Sequence, residues 1–251
     1  MLKEERHRII LELLKQERYL KIAELADRLG VTKMTVRRDL SSLEEEGVLH
    51  RVHGGAQRVG EEEIEELSHQ EKLTLHMEEK SKIAKRAASL VEENDTVFIG
   101  PGTTNELIYS YIRLRRATVV TNSLTVFQRF QGDERFELIL MGGRYRERTG
   151  SFIGTFANES LRKIKVNKAF IGTNGVYHGM VTTANEEEGL AQQIILDNAL
   201  AKYILCDESK IGKQALYAFY SLHHVNALIS DARPDTITGA QITKYTELLT
   251  V

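Results

Sequence analysis

Residues 20–56 read LKIAELADRLGVTKMTVRRDLSSLEEEGVLHRVHGGA, and their spacing decides what the first quarter of the chain is. Ile22, Leu25, Ala26 and Leu29 recur at helical intervals, Gly30-Val31 breaks the run, and Thr32 is placed to cap a second helix. A short helix, a glycine turn and a capped second helix form the helix-turn-helix arrangement. On the second helix Val36, Leu40 and Leu43 share one face. Met34, Arg38 and Ser41 lie opposite, flanked by Lys33, Thr35 and Arg37. Positive and hydrogen-bonding groups thus fill the first two turns, and Glu44–Glu46 occupy the far end. A helix that enters the major groove by its N-terminal part needs that polarity. An arginine there contacts guanine O6 and N7 or a phosphate, and the sequence leaves both open. Gly47 stops the helix. Val48–Ala56 reads as a hairpin turning at Gly54-Gly55, a wing from which His50, Arg51 and His53 reach the DNA backbone or minor groove.

Outward from this stretch, Ile9, Ile10, Leu13 and Leu14 predict one more helix before it, with a break near Glu17–Leu20. The winged helix-turn-helix is therefore expected over residues 1–57. Residues 58–80, with an acidic run at Glu61–Glu66, read as a solvated linker. From 81 to 251 the pattern alternates. Strands are expected at Thr96–Ile99, Thr118–Thr121, Glu137–Met141, Ala169–Gly172, Tyr203–Cys206 and Ala227–Ile229. Helices are expected at Ser81–Val91, Thr104–Arg113, Leu124–Phe130, Glu159–Ile164 and Glu187–Ala201. Short apolar strands separated by helices imply an α/β domain with a doubly wound, mainly parallel sheet.

The turns after these strands carry the second candidate chemistry. Asp95–Ile99 runs through Gly100-Pro101-Gly102-Thr103-Thr104 into a helix. There glycine lets backbone approach an anion, and free N–H groups and hydroxyls supply donors. Thr121-Asn122-Ser123, Gly142-Gly143-Arg144 and Asp207-Glu208-Ser209-Lys210 end three further strands. Ligands of open α/β sheets bind at the carboxyl ends of strands, where these groups are expected to converge. Lys210 and Arg144 are the charge partners for a phosphate.

The bulk numbers agree. The 251 residues suffice for two domains. Residues 1–58 hold 12 Lys+Arg against 10 Asp+Glu, and the rest hold 22 against 26, so a mildly basic head precedes an acidic body. Cys206 is the one cysteine, which excludes an intrachain disulfide and a paired-cysteine metal site and fits a reducing compartment, the cytoplasm. The N-terminus lacks the pattern of a signal or transit peptide, and the apolar runs are too short to span a bilayer. The eight histidines form no ligand-spaced cluster with Cys206, so neither metal nor other cofactor is expected.

Thr32-Lys-Met-Thr-Val-Arg-Arg-Asp-Leu40, with Leu43, Gly47 and Arg51-Val-His-Gly-Gly-Ala56, closely resembles the signature of the DeoR family of bacterial regulators. The resemblance continues through Gly102-Thr-Thr104, Thr121-Asn-Ser123, Gly142-Gly-Arg144, Gly172-Thr-Asn-Gly175 and Ser209-Lys210, which look like the sensor domain of that family. It implies a body like the ribose-5-phosphate isomerases and glucosamine-6-phosphate deaminases, with a phosphorylated sugar as effector. The candidate effector-binding set is then Gly102, Thr103, Thr104, Thr121, Asn122, Gly142, Gly143, Arg144, Asn174, Glu188 and Lys210. Phe98-Ile-Gly-Pro-Gly-Thr-Thr104 resembles the branch of lactose phosphotransferase-system repressors, which implies tagatose 6-phosphate as inducer. The chain departs from the family at Pro101, where an acid is common, and at Gly189 and Gln192, where alanine and lysine are usual.

The competing reading is a sugar-phosphate isomerase or deaminase with an accessory head. Such an enzyme needs a carboxylate base beside the reacting carbon. The related isomerases put acids near the turn matching Gly172–Gly175, where this chain offers Asn174, an amide that binds hydroxyls but takes no proton. Glu106, Glu187, Glu188 and Asp207 are the remaining carboxylates. In a third reading the body only assembles subunits. Paired operator half-sites call for a homo-oligomer of at least two chains.

Overall fold

The computed structural model describes residues 2–16, 19–52, 54–58 and 66–251. The chain divides into two compact units, Met1–Glu62 and Glu63–Val251. In the first, α1 (Lys3–Gln16), β1 (Tyr19–Lys21), α2 (Ile22–Leu29), α3 (Lys33–Glu45), β2 (Leu49–Val52) and β3 (Gly55–Arg58) follow in order. The strands form an antiparallel sheet, β1-β3-β2, so the wing hairpin gains a third strand that sequence periodicity did not reveal. Gly30 closes α2 in the left-handed conformation at φ 63°. Thr32 caps α3 by accepting the Thr35 amide at 3.2 Å. Ile10 and Leu14 of α1, Leu25 and Leu29 of α2, and Val36, Leu40 and Leu43 of α3 meet in one buried core.

A charged contact is built into that inner surface. Asp39 of α3 is buried, and Arg6 of α1 grips its carboxylate with two hydrogen bonds, Nε at 2.6 Å and Nη2 at 2.9 Å. His7 Nε2 lies 3.5 Å from the same carboxylate. The orientation of α3 thus rests on a bidentate pair as well as on apolar packing.

The second unit opens with α4 (His69–Lys72) and α5 (Met77–Ala88), followed by β4 (Thr96–Ile99), α6 (Thr103–Glu106), β5 (Ala117–Thr121), α7 (Leu124–Phe130) and β6 (Phe136–Leu140). A hairpin of β7 (Arg144–Arg146) and β8 (Ser151–Ile153) leads to α8 (Thr155–Arg162) and β9 (Val166–Gly172). Then come β10 (Gly175–Tyr177), β11 (Met180–Thr183), α9 (Glu186–Asp197), β12 (Ala199–Leu205), β13 (Tyr217–Ser221), β14 (Ala227–Ser230), α10 (Ile237–Thr243) and β15 (Glu247–Thr250). Seven strands form one parallel sheet in the order β15-β14-β12-β9-β4-β5-β6. Alternate side chains feed two cores. Phe98 and Val120 join α8 and α9 on one face, while Val97, Ile99 and Val119 join α5 and α7 on the other.

The strand order reverses beside β4: β5 and β6 succeed it on one side, and β9, β12, β14 and β15 lie on the other. The crevice outside β4 and β9 is therefore the topological switch point of the sheet.

Several expected boundaries shift, α5 starting a turn before Ser81 and β9 three residues before Ala169. The helix expected over Glu187–Ala201 ends at Asp197, and Ala199-Leu200-Ala201 begin β12 because parallel pairing to β9 outweighs their helical propensity. The helix expected over Thr104–Arg113 makes one α turn and tightens to 3₁₀ over Leu107–Tyr111. The expected helix at Glu159–Ile164 starts a turn earlier, at Thr155. Among the described residues, no helix is long and apolar enough to cross a membrane.

Part of the segment read as a linker over 58–80 is packed structure. Ser68 opens α4 with a capping box, its hydroxyl accepting the Glu71 amide at 3.3 Å while the Glu71 carboxylate accepts the Ser68 amide at 2.7 Å. Arg146 donates to both oxygens of Glu66, at 2.6 and 2.5 Å. The Glu61–Glu66 run hid this because an acidic stretch has the composition of a solvated one. Residues 59–65 lie outside the described set.

Candidate functional site

The head presents α3 outward. Lys33, Met34, Arg37 and Arg38 are exposed, and Met34, Arg37, Arg38 and Ser41 line a shallow depression with Ser42 and Glu45. Thr35 differs from its neighbours: its hydroxyl lies 3.0 Å from that of Thr32, inside the cap. Arg51 does not project freely from the wing. Its guanidinium donates to Ser41 Oγ at 2.6 Å and its amide to Glu44 at 2.9 Å, so the hairpin is tied to α3. Of the other wing candidates, His53 lies outside the described residues, as does the side chain of His50.

The body holds a cavity at the switch point. Its wall takes Pro101–Asn105 from the turn after β4, Gly172–Asn174 from the turn after β9, and Cys206, Asp207 and Lys210 from the turn after β12. Thr183, Glu188 and Gln192 add the end of β11 and the first turns of α9, and Thr149 comes from the β7–β8 turn. Gly102 sits at φ 134°, a conformation that a side chain resists, which lets the loop turn sharply into α6. Two acceptors in this wall, Asn105 Oδ1 and Gln192 Oε1, are buried without a hydrogen-bond partner among the described residues. Asn105 spends its amide N–H groups on loop and strand carbonyls, Gly100 O at 2.9 Å and Phe170 O at 3.3 Å.

Of the candidate effector residues, Gly102, Thr103, Thr104, Asn174, Glu188 and Lys210 line the cavity, and Thr121, Asn122, Gly142, Gly143 and Arg144 do not. The second group follows β5 and β6, on the far side of β4 from β9. Thr121 is fully buried and donates to Ile99 O at 2.7 Å while accepting the Ser123 amide at 3.0 Å. Asn122 donates to Phe152 O at 2.9 Å, pinning the β7–β8 hairpin. At Gly143 a Cβ would stand 2.7 Å from Ile153 O, so glycine is required there by close backbone approach. Arg144 is exposed and paired with Glu187. These five residues shape the turns around β5 and β6.

Sequence reasoning missed the cationic half of the wall. Lys80 is buried, and Lys72, His69 and His76 line the cavity with it. Burial pushes the Lys80 ammonium below its ordinary value. Asp207 and Glu106 oppose that shift, and Lys210 and Lys72 add to it. Lys72 is lowered by burial too, with Glu66 and Glu188 opposing and Lys210 and Arg146 adding. His69 Nε2 lies 2.5 Å from the buried Glu106 carboxylate. Burial also pushes the Cys206 thiol well up. Lysines spread along a charged segment carry no periodic signal that would have singled them out. Among the described residues, no three His, Cys, Asp or Glu side chains are grouped to hold a metal ion.

The carboxylates of the wall are engaged. Glu188 accepts from Ser151 Oγ at 2.8 Å, from Arg146 at 3.4 Å and from Thr149 Oγ1. Asp207 accepts from the amide and hydroxyl of Ser209. Glu187 is outside the cavity, on Arg144.

Residues 6–62 match the DeoR-like helix-turn-helix domain, and residues 75–232 match the DeoR C-terminal sensor domain. The chain belongs to the DeoR family. Among characterised members of the family it is 43% identical over 251 residues to a lactose phosphotransferase system repressor of Streptococcus mutans, covering 99% of this chain and all of that one. A lactose phosphotransferase system repressor of Lactococcus lactis is 38% identical over 252 residues, 99% of each chain. Ribose 5-phosphate isomerase A of Methanocaldococcus jannaschii overlays 55% of this chain and 53% of its own at TM-score 0.36 and 20% identity. Of the three positions where this DeoR-family chain departs from the family, Pro101 and Gln192 are cavity wall and Gly189 is not.

Proposed function

We propose that this DeoR-family chain is a transcriptional repressor of a lactose or galactose catabolic operon, released from operator DNA by a phosphorylated sugar, with tagatose 6-phosphate first among the candidates. The head, residues 1–57, places Lys33, Met34, Arg37, Arg38 and Ser41 in the major groove, and at least two chains read paired half-sites. The observation that carries the effector reading is the cavity itself. At the switch point of a parallel sheet, Gly102–Thr104 and Lys210 meet Asn174, Glu188 and Gln192 Oε1, which has no partner among the described residues, an array with donors for a phosphate and partners for hydroxyls. Similarity to the lactose repressors supports the choice of sugar.

A regulator suits this wall better than an isomerase. Glu106 is tied to His69, Glu188 accepts three donors, and Asp207 is held by Ser209. The turn after β9 offers an amide, Asn174, where proton transfer needs a base.

Fluorescence anisotropy of the full chain on DNA from its own promoter region, titrated with tagatose 6-phosphate and other hexose phosphates, tests the reading. Release by one phosphosugar, and not by its unphosphorylated parent, is expected. Tight binding that no phosphosugar alters would remove the effector role of the body.

A further inference from the structure

Asn105, in α6, is fully buried in the cavity wall. Its amide nitrogen donates to Gly100 O at 2.9 Å, Phe170 O at 3.3 Å and Pro101 O at 3.4 Å. A carbonyl oxygen only accepts, so three of them around one end of the amide fix that end as the NH2 group. The orientation of the side chain is thereby settled, and Oδ1 is the atom left without a donor among the described residues. A buried acceptor in that position destabilises the fold unless something else donates to it, and native chains keep few of them.

Gln192 repeats the situation on α9. It stands four residues after Glu188, so the two share one face of the helix, and both belong to the wall. Glu188 is occupied by Ser151 Oγ, Thr149 Oγ1 and Arg146. Gln192 Oε1 is buried with no donor among the described residues. These two oxygens differ from the groups around them: Lys210 and the hydroxyls of Thr103 and Thr104 can donate, whereas an amide oxygen only accepts. What completes an amide oxygen is an O–H or N–H brought by the ligand. A carboxylate or a phosphate dianion offers neither, and the hydroxyls of a sugar carbon chain offer several.

We propose that Asn105 and Gln192 are specificity-determining residues of this cavity: each accepts a hydrogen bond from one hydroxyl of the sugar part of the ligand. The proposal rests on the cavity being the phosphosugar site, and it says which part of the sugar is read. The pair selects among hexose phosphates at the two carbons that carry those hydroxyls. Asn105 is the stricter reader, because its amide cannot turn without breaking its bonds to three carbonyls. A site built around a buried acceptor rejects a ligand that lacks the matching hydroxyl, since the acceptor is then buried unpaired.

Changing ligand and protein together tests this. Tagatose 6-phosphate and each of its single-deoxy forms are titrated calorimetrically into the full-length wild type, Asn105→Ala, Gln192→Leu and Gln193→Leu. Gln193 is exposed on α9 outside the wall and controls for substitution on that helix. In the wild type, removal of either of two hydroxyls is expected to weaken binding tenfold or more. In Gln192→Leu one of those losses should shrink to less than threefold, in Asn105→Ala the other, and Gln193→Leu should keep both. Asn105→Ala also removes the donors to the turn after β4, which weakens every ligand alike and leaves the ratio of parent to deoxy form unmoved, so the ratio is what is read. Should Asn105→Ala fail to fold, the wild-type series and Gln192→Leu still decide. A ratio that one variant leaves as in the wild type removes that residue from the readout. Ratios unmoved in both, or deoxy forms that all bind the wild type like the parent, would overturn the proposal and leave the effector site standing. No binding of any hexose phosphate to a wild type that still binds operator would overturn both.

Discussion

The proposed recognition surface and the proposed effector cavity are assembled in opposite ways. On α3 every candidate contact comes from one helix and its neighbouring hairpin, and the side chains are exposed because the opposite face of the helix is buried. The cavity draws its wall from residues between 67 and 210, gathered by the carboxyl ends of β4, β9 and β12 and by the segment that precedes the sheet. A surface of the first kind is set by local periodicity, whereas one of the second kind is set by strand order. The two should therefore fail separately when mutated.

The largest separation is expected from Arg38→Ala. Loss of an arginine–guanine contact costs about 1–3 kcal/mol, roughly five- to 150-fold in operator affinity. Phosphosugar affinity, measured by calorimetry, should be unchanged. Lys210→Ala gives the mirror image: a charge-assisted hydrogen bond of about 1.5–3 kcal/mol is lost from the ligand. Operator binding persists in that variant, and relief by phosphosugar disappears. If Lys210→Ala is relieved like the wild type, the cavity is not the phosphate site.

Asp39→Ala probes how α3 is held rather than what it touches. It leaves Arg6 half-buried without its carboxylate, at a cost of about 2 kcal/mol to the head, read as a lower urea midpoint by circular dichroism. Arg144→Ala sharpens the line between cavity and surrounding turns. Its pair with Glu187 is exposed, so both ligand affinity and stability should change little.

The smallest effect concerns Glu66, just before α4. Burial raises the Glu66 carboxyl, but Arg146 outweighs it and holds the group below its ordinary 4.5. A carboxylate lowered in the folded state stabilises fully above its ordinary value and ceases to do so as pH falls through the lowered one. The difference in urea midpoint between wild type and Glu66→Gln should therefore be full at neutral pH, shrink as pH falls below 4.5 and vanish once pH is under the lowered value.

The same contrast explains what the sequence disclosed. The cap at Thr32, the turn at Gly30 and the apolar stripe of α3 are signals within a few residues, and they placed the head's two central helices almost to the residue. In the body, Thr96–Ile99 was legible because Asp95 and Gly100 bracket an apolar run. The start of β12 was not, because Ala199-Leu200-Ala201 read as helix until a partner strand is known. The small sheet of β10, β11 and β13 was missed because its strands are only three to five residues long. In the site, Gly102–Thr104 and Lys210 could be picked out because they end strands. Thr121 and Gly143 look equivalent in sequence, and only the strand order shows that they serve the backbone instead. Lys72 and His69 were invisible because nothing local distinguishes a cavity wall from a solvated linker.

The central claim, that cavity and head are thermodynamically linked, is tested most directly by one calorimetric comparison. Phosphosugar is titrated into the full chain alone and into the chain saturated with operator DNA. Linkage requires operator to weaken the phosphosugar by the same factor by which phosphosugar weakens operator. Equal factors are the expected result. A phosphosugar affinity that operator leaves unchanged would contradict the account.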